Sequence, residues 1–227
     1  MLAERRQADE LMDDPALGAE TYHAVLNDLA KVNRVTFAHR PTLRFLERAV
    51  GRLSSFRLLD VGFGQGDMLR SIARWARKQG TDCELVGVDL NPRSEPAARA
   101  ATPLDMPIRY VTGDYADLGE EPWDLIISSL VAHHMTHAQL IAFLRFMDAH
   151  ARVGWLINDL HRHWLPHAGF PLLATLMRWH RMVRADGTLS IARSYRPVEW
   201  PPILAEAGVS ARVYRAFPYR LCVERTR

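Results

Sequence analysis

The sequence predicts a doubly wound α/β domain around a mostly parallel sheet, and three observations carry that reading. Apolar runs of strand length alternate with amphipathic stretches from residue 56 to about 160, the pattern of right-handed crossovers between parallel strands. The first run opens into a glycine-rich turn, LLDVGFGQGDML at 58–69, directly before an amphipathic stretch. The second, VGVDL, closes its apolar part on Asp89, where sheets that bind nucleotides present a carboxylate.

Each element follows in order. Residues 1–50 predict a helical cap, because Leu26, Leu29 and Val32, and then Leu43, Leu46 and Val50, recur at helical spacing, with Pro41 suited to a helix start. The core, 51–160, reads as strand 56–61, helix 66–79, strand 83–88, a Pro- and Ala-rich piece 92–103, strands 107–112 and 124–129, helix 137–149 and strand 153–157. Residues 161–195 predict a helical insert on the substrate side, in which Leu172, Leu173, Leu176, Trp179, Met182 and Val183 form one apolar stripe. The end, 196–227, reads as a helix in VEWPPILAEAGV and two strands, SARVYRAF and YRLCVER, joined at Pro218 into a hairpin that adds one antiparallel strand.

Length and composition limit what this core can serve. At 227 residues the chain accommodates one such domain with additions and not two. Twenty-nine basic and 26 acidic side chains give a formal charge of +3, too mild a balance to argue for nucleic acid. Cys83 and Cys222 lie within predicted strands and read as small core residues in a reducing compartment. No apolar leader and no membrane-length run is present, so a cytoplasmic protein without a membrane span is expected.

The glycine spacing narrows the ligand. A dinucleotide fingerprint requires glycine at position 67, which is Asp67, and the third glycine comes one residue early at Gly66. This D-x-G-x-G-x-G form resembles the first motif of class I S-adenosylmethionine-dependent methyltransferases. The likeness spans residues 55–160 and 196–225, and the opening, DDPALGAETYHAVLNDLAKVNRVT, is similar to bacterial small-molecule methyltransferases associated with polyketide biosynthesis. It implies a Rossmann-like seven-stranded sheet with S-adenosylmethionine as cofactor. By the same resemblance Gly62, Phe63, Gly64 and Gly66 form the loop against the methionine part, and Asp60 orders it or meets the ammonium through water. Asp89 accepts the ribose hydroxyls, Leu90 touches the adenine, Asp114 receives the adenine amino group, Tyr115 packs on the ring, and Ser129 borders the methionine.

Catalysis has a less local signature. Methyl transfer from a sulfonium is an in-line displacement in which alignment supplies much of the acceleration, and a base assists when the nucleophile is a phenol. Eight of the ten histidines fall between 133 and 180. His133 and His134 follow the fourth strand, and His161 and His163 follow the fifth, so all four are candidates, with Asp159 either orienting one of them or acting as the base itself. In similar methyltransferases the histidine at His134 often packs beneath the cofactor instead. No cysteine pair or H-E-x-x-H helix accompanies these histidines, and no metal is expected. The insert is expected to present Trp164, Phe170 or Met177 to the acceptor, with Arg184, Asp186, Arg193 and Tyr195 in a loop that clamps a carboxylate or carbonyl, although surface ion pairing is the commoner use of such charges.

The resulting expectation is methyl transfer to a small, largely apolar acceptor, foremost at oxygen of a phenolic or polyketide-like ring. Carbon methylation of a quinone-like ring is the alternative. A nucleic-acid or protein methyltransferase would call for a basic face or an N-P-P-Y-type motif where this chain has SSLVAHH, and a cofactor-binding protein without transfer activity is the remaining reading. The expected partner is an aromatic or polyketide-like small molecule; a homodimer is left open.

Overall fold

The strand-length runs and amphipathic stretches fold as their periods require. The computed structural model describes residues 2–51 and 53–227; Met1, in the predicted cap, and Arg52, in the predicted core, lie outside the described residues. The strands are β1 (Ser55–Val61), β2 (Asp82–Asp89), β3 (Ile108–Thr112), β4 (Trp123–Ser129), β5 (Ala151–Leu160), β6 (Arg212–Ala216) and β7 (Arg220–Thr226). They form one seven-stranded sheet in the order β3-β2-β1-β4-β5-β7-β6. The first five are parallel, and β7 enters antiparallel between β5 and β6. This is the Rossmann-like seven-stranded sheet, mostly parallel with one antiparallel strand, that the resemblance implies.

The helices are α1 (Ala19–Val35), α2 (Arg40–Ala49), α3 (Asp67–Gln79), α4 (Ser94–Ala101), α5 (His137–His150), α6 (Trp164–Leu176), α7 (Arg181–Arg193) and α8 (Trp200–Ala207). Central strands are apolar on both faces because helices cover both. Leu59, Trp155, Ile157 and Val223 pack with Leu140, Phe143, Trp200 and Leu204 of α5 and α8. Leu58, Leu125, Leu156 and Cys222 pack with Phe45, Leu46, Leu69 and Ile72 of α2 and α3. Each such buried side chain contributes about 1.5–3 kcal/mol, so the two layers fix the register that brings the strand ends together. Both cysteines are free, Cys222 within the core and Cys83 half-buried. No described helix is long and apolar enough to cross a membrane.

Two expectations for the insert are corrected. Its apolar stripe is not one helix: α6 ends at Leu176, Arg178 takes a positive φ of 54°, and His180 caps α7 by accepting from the Met182 amide at 3.3 Å. The break was hidden because the apolar spacing resumes in phase after the turn. Arg184, Asp186 and Arg193 are therefore helical, not parts of a clamp loop. Asp186 is buried, accepting from the amides of Leu11 at 2.9 Å and Met12 at 3.0 Å, and so fastens the N-terminal segment to α7.

Candidate active site

Parallel strands end together, so the polar residues at their C-terminal ends share one edge of the sheet. At the end of β1, Gly62 and Gly66 take φ of 78° and 74°. A Cβ at Gly62 would strike Val131, and one at Gly66 would strike the Tyr110 ring, so packing alone demands glycine at both. Gly64 differs, with only Leu26 at 3.9 Å in its Cβ direction. Phe63 turns inward, 4.9 Å from the Tyr110 ring, and belongs to the core.

The acids around this loop have distinct environments. Asp60 is buried, its Oδ1 has no hydrogen-bond partner among the described residues, and burial together with Asp67 and Asp89 pushes its carboxyl up to about 8. Asp89 accepts from the Gly64 amide through Oδ2 and from the Asn91 amide through Oδ1, both at 2.9 Å, and burial raises it as well. Each of its oxygens retains acceptor capacity. An unpartnered buried carboxyl and a half-buried acceptor pair suit a ligand that brings an ammonium and hydroxyl donors. Leu90 is 72% exposed beside them.

The remaining predicted cofactor residues lie along the same edge with local partners. Asp114 is exposed and caps a short turn by accepting from the Ala116 amide at 3.0 Å. Tyr115 presents its ring edge-on to Phe143 at 4.9 Å and Phe146 at 4.8 Å. Ser129 donates to the Asn158 carbonyl at 3.4 Å. Over the glycine loop, α1 lies close: Tyr22 shares a hydrogen bond of 3.0 Å with Ser94, and Gln65 donates to Asn27. Asp124, in contrast, binds the Arg57 amide and the Arg152 guanidinium at the start of β4, away from this edge.

The four candidate histidines divide into two places. His133 is 3% exposed, and Asp159 holds it twice, through its amide at 2.9 Å and its Nδ1 at 2.7 Å. Its Nε2 is buried without a hydrogen-bond partner among the described residues and faces Glu10 Oε1 at 3.7 Å. Burial opposes a charge on this ring, but Asp159 and Glu10 outweigh burial and raise it to about 9. His134, partly exposed, lies 3.6 Å from Glu10 and 3.6 Å from Asp13. His161 and His163 instead line a cleft of about 400 Å³ with Arg162, Trp164, Arg196 and Val198. There His161 is lowered by burial and by His163, while His163 caps α6 and stacks on Tyr219 at 5.2 Å.

Sequence reasoning missed Glu10, which the fold brings to His133 across more than a hundred residues with no local motif to mark it. It is 5% exposed, accepts from Ser190 Oγ at 2.7 Å, and lies 3.6 Å from Arg193 Nη1. Arg5 joins the same group, donating to the His133 carbonyl at 3.2 Å and the Tyr195 hydroxyl at 2.6 Å. Glu10, His133 and His134 converge within 4.8 Å, a set of ligand-type atoms. Arg193 stands on the same Glu10 oxygen and brings a positive charge there.

Residues 58–154, somewhat under half of the chain, match the family model described as a methyltransferase domain. That stretch carries a methyltransferase domain. No curated protein matches the sequence closely enough to count as a relative. Among solved structures, this chain is similar to the plantazolicin methyltransferase BamL in complex with a triazolic desmethyl analogue and SAH, at TM-score 0.63 and 16% identity over 85% of this chain and 71% of that one. A SAM-dependent methyltransferase from Aquifex aeolicus gives TM-score 0.62 and 16% identity over 92% and 97% of the two chains. Human N-acetylserotonin methyltransferase in complex with SAM gives 0.60 and 16% over 92% of this chain and 56% of that one. At these identities the likeness is one of fold.

Proposed function

We propose that the enzyme methylates an oxygen of a small, largely apolar phenolic or polyketide-like acceptor, and that His133 receives the acceptor's proton. The observation that carries this reading is the buried pair itself: Asp159 fixes His133 Nδ1 at 2.7 Å and leaves Nε2, which faces Glu10 at 3.7 Å, without a hydrogen-bond partner among the described residues where β4 and β5 end. A carboxylate on Nδ1 selects the tautomer and orients the ring, so the other nitrogen becomes the base.

The residues at the first two strand ends suit the cofactor. In this reading Gly62, Gly64 and Gly66 border its methionine part, Asp60 faces the ammonium, and Asp89 accepts from the ribose. Leu90, Asp114 and Tyr115 surround the adenine, and Ser129 flanks the methionine. S-adenosylmethionine, when bound, supplies an electrophilic methyl on a sulfonium. The chain's own part is to hold the acceptor oxygen in line with that methyl and to take its proton on His133 Nε2 as the oxygen–carbon bond forms and the sulfur–carbon bond breaks. A phenol has an ordinary pKa near 10, close to that of His133, so the proton moves with little free-energy change. The exposed Trp164, Leu172, Leu176 and Met177 of the insert favour an apolar acceptor.

Because His133 titrates at about 9, its neutral, accepting form grows as pH rises. Turnover is expected to climb through neutral pH and level off above about 9. His133→Gln should lower kcat by roughly 10²–10⁴-fold, remove that rise, and leave SAH affinity intact by calorimetry. Full turnover in this variant would leave alignment alone as the mechanism.

A further inference from the structure

Helix α6 has the composition of a core helix and is not buried. Its 13 residues, WLPHAGFPLLATL, include no Asp, Glu, Lys or Arg, which suits a protein interior or a lipid environment. The helix of similar length, α5, buries Leu140, Ile141, Phe143, Leu144 and Met147, whereas in α6 only Ala174 is buried. Trp164, Leu165, Leu172, Leu176 and Met177 are exposed, Trp164 by 64%, Leu172 by 74% and Leu176 by 79%. From Leu165 to Leu176 this face runs about 16 Å along the helix, farther than one aromatic ring reaches. A contiguous apolar surface of this kind marks a place where a partner or a membrane sits.

The charges around the face select between them. Residues 161–198 hold six arginines and four histidines against one acid, Asp186. Asp186 is buried on the Leu11 and Met12 amides, so this segment exposes no carboxylate. Arg178, Arg181 and Arg184 are exposed where α6 turns into α7. Arg184 lies against α6, donating to Thr175 Oγ1 at 3.3 Å, and none of the three has a carboxylate partner among the described residues. Asp28, which packs on the start of α7, is engaged by the His180 amide and by Lys31, both at 2.8 Å. At the other end of α6, His163 stacks on Trp164 at 6.0 Å and on Tyr219 at 5.2 Å, and the exposed Phe217 and Arg215 of the β6–β7 hairpin continue the same mixture.

A second copy of the chain meeting this face with its own would bring no exposed carboxylate from the insert to these arginines. An anionic bilayer offers both halves of what the face needs, an apolar layer for the leucines and charged headgroups for the arginines, with tryptophan at the boundary. At about 20 Å, α6 is shorter than a hydrocarbon core of about 30 Å, so it lies along the interface and does not span it. We propose that the apolar face of α6, with Arg178, Arg181 and Arg184, docks on the surface of a membrane that contains anionic lipid. The Tyr219 carbonyl accepts the His161 amide at 3.0 Å and α6 follows β5 directly, so the docked face adjoins the C-terminal edge of the sheet, where the candidate site lies. Docking does not depend on which acceptor is methylated.

Co-sedimentation of the whole chain with vesicles tests this without turnover. Vesicles of equal parts phosphatidylcholine and phosphatidylglycerol should bind at least about tenfold more tightly than phosphatidylcholine alone, and added salt should weaken that binding. Leu172→Ser combined with Leu176→Ser should leave the melting temperature unchanged and lower affinity for the anionic vesicles at least about tenfold. Arg178→Glu combined with Arg181→Glu should abolish the preference for anionic lipid. No binding to the anionic vesicles, equal binding to both kinds, or unchanged affinity in the leucine variant would overturn the proposal. A lowered melting temperature in the leucine variant would show that the face packs within the protein, with the same consequence. So would a dimer in analytical ultracentrifugation that the leucine variant dissolves, which would assign the face to a second copy. Methyl transfer to a phenol by a protein that binds no vesicle would sink the docking and spare the proposed function; vesicle binding without transfer to any phenol would do the reverse.

Discussion

Asp60 and Asp89 stand at the ends of adjacent strands, both raised above the usual carboxylate range by burial. The two differ in what satisfies them. Asp89 already holds two backbone amides, so it is fixed in place with acceptor capacity to spare, whereas Asp60 Oδ1 has no hydrogen-bond partner among the described residues. Asp89→Ala removes a charged acceptor that hydrogen-bonds at about 1.5–3 kcal/mol, and SAH affinity should fall roughly tenfold to a hundredfold with far-UV circular dichroism unchanged. Unaltered affinity would mean that the ribose is held elsewhere. These residues were legible in the sequence because a glycine turn and the acid ending the next strand are one contiguous unit. Phe63 shows where that legibility stops: its place in the motif is local, but its side chain obeys the core.

At the scale of elements, the least legible piece is the N-terminal segment before α1. It has no strong period, and its partners lie at the other end of the chain: Arg6 donates to the Ala192 carbonyl, Glu10 meets Ser190, and Asp186 receives Leu11 and Met12. Such contacts between distant residues leave no mark on local spacing. They also make Asp186 the fastening of the segment that brings Glu10 to His133. Asp186→Ala leaves two part-buried amides without their acceptor, a loss of about 0.5–1.5 kcal/mol for each hydrogen bond. Amide exchange should accelerate at Leu11 and Met12, while the central strands β1, β4 and β5 keep their protection. Unchanged exchange at those two amides would show that the segment is held by other contacts. The insert was half legible for a related reason, since its apolar stripe was visible but the turn at Arg178 that splits it was not.

For the molecule as a whole, the sheet order was readable because alternating strands and helices leave few topologies, and the closing hairpin fixes where the antiparallel strand goes. The proposed donor side follows from that order together with the glycine loop and Asp89 at its strand ends. The proposed acceptor side depends on pieces contributed from the N-terminal segment, the end of β4, β5 and α7, which only the folded chain assembles. Transfer of a labelled methyl from S-adenosylmethionine to hydroxy-aromatic acceptors, with the labelled atom located in the product, tests the account most directly. Label on a phenolic oxygen, formed by the wild type and lost with His133→Gln, is the predicted result. Label on ring carbon, or a protein that binds SAH yet never passes the label to any acceptor, would contradict it.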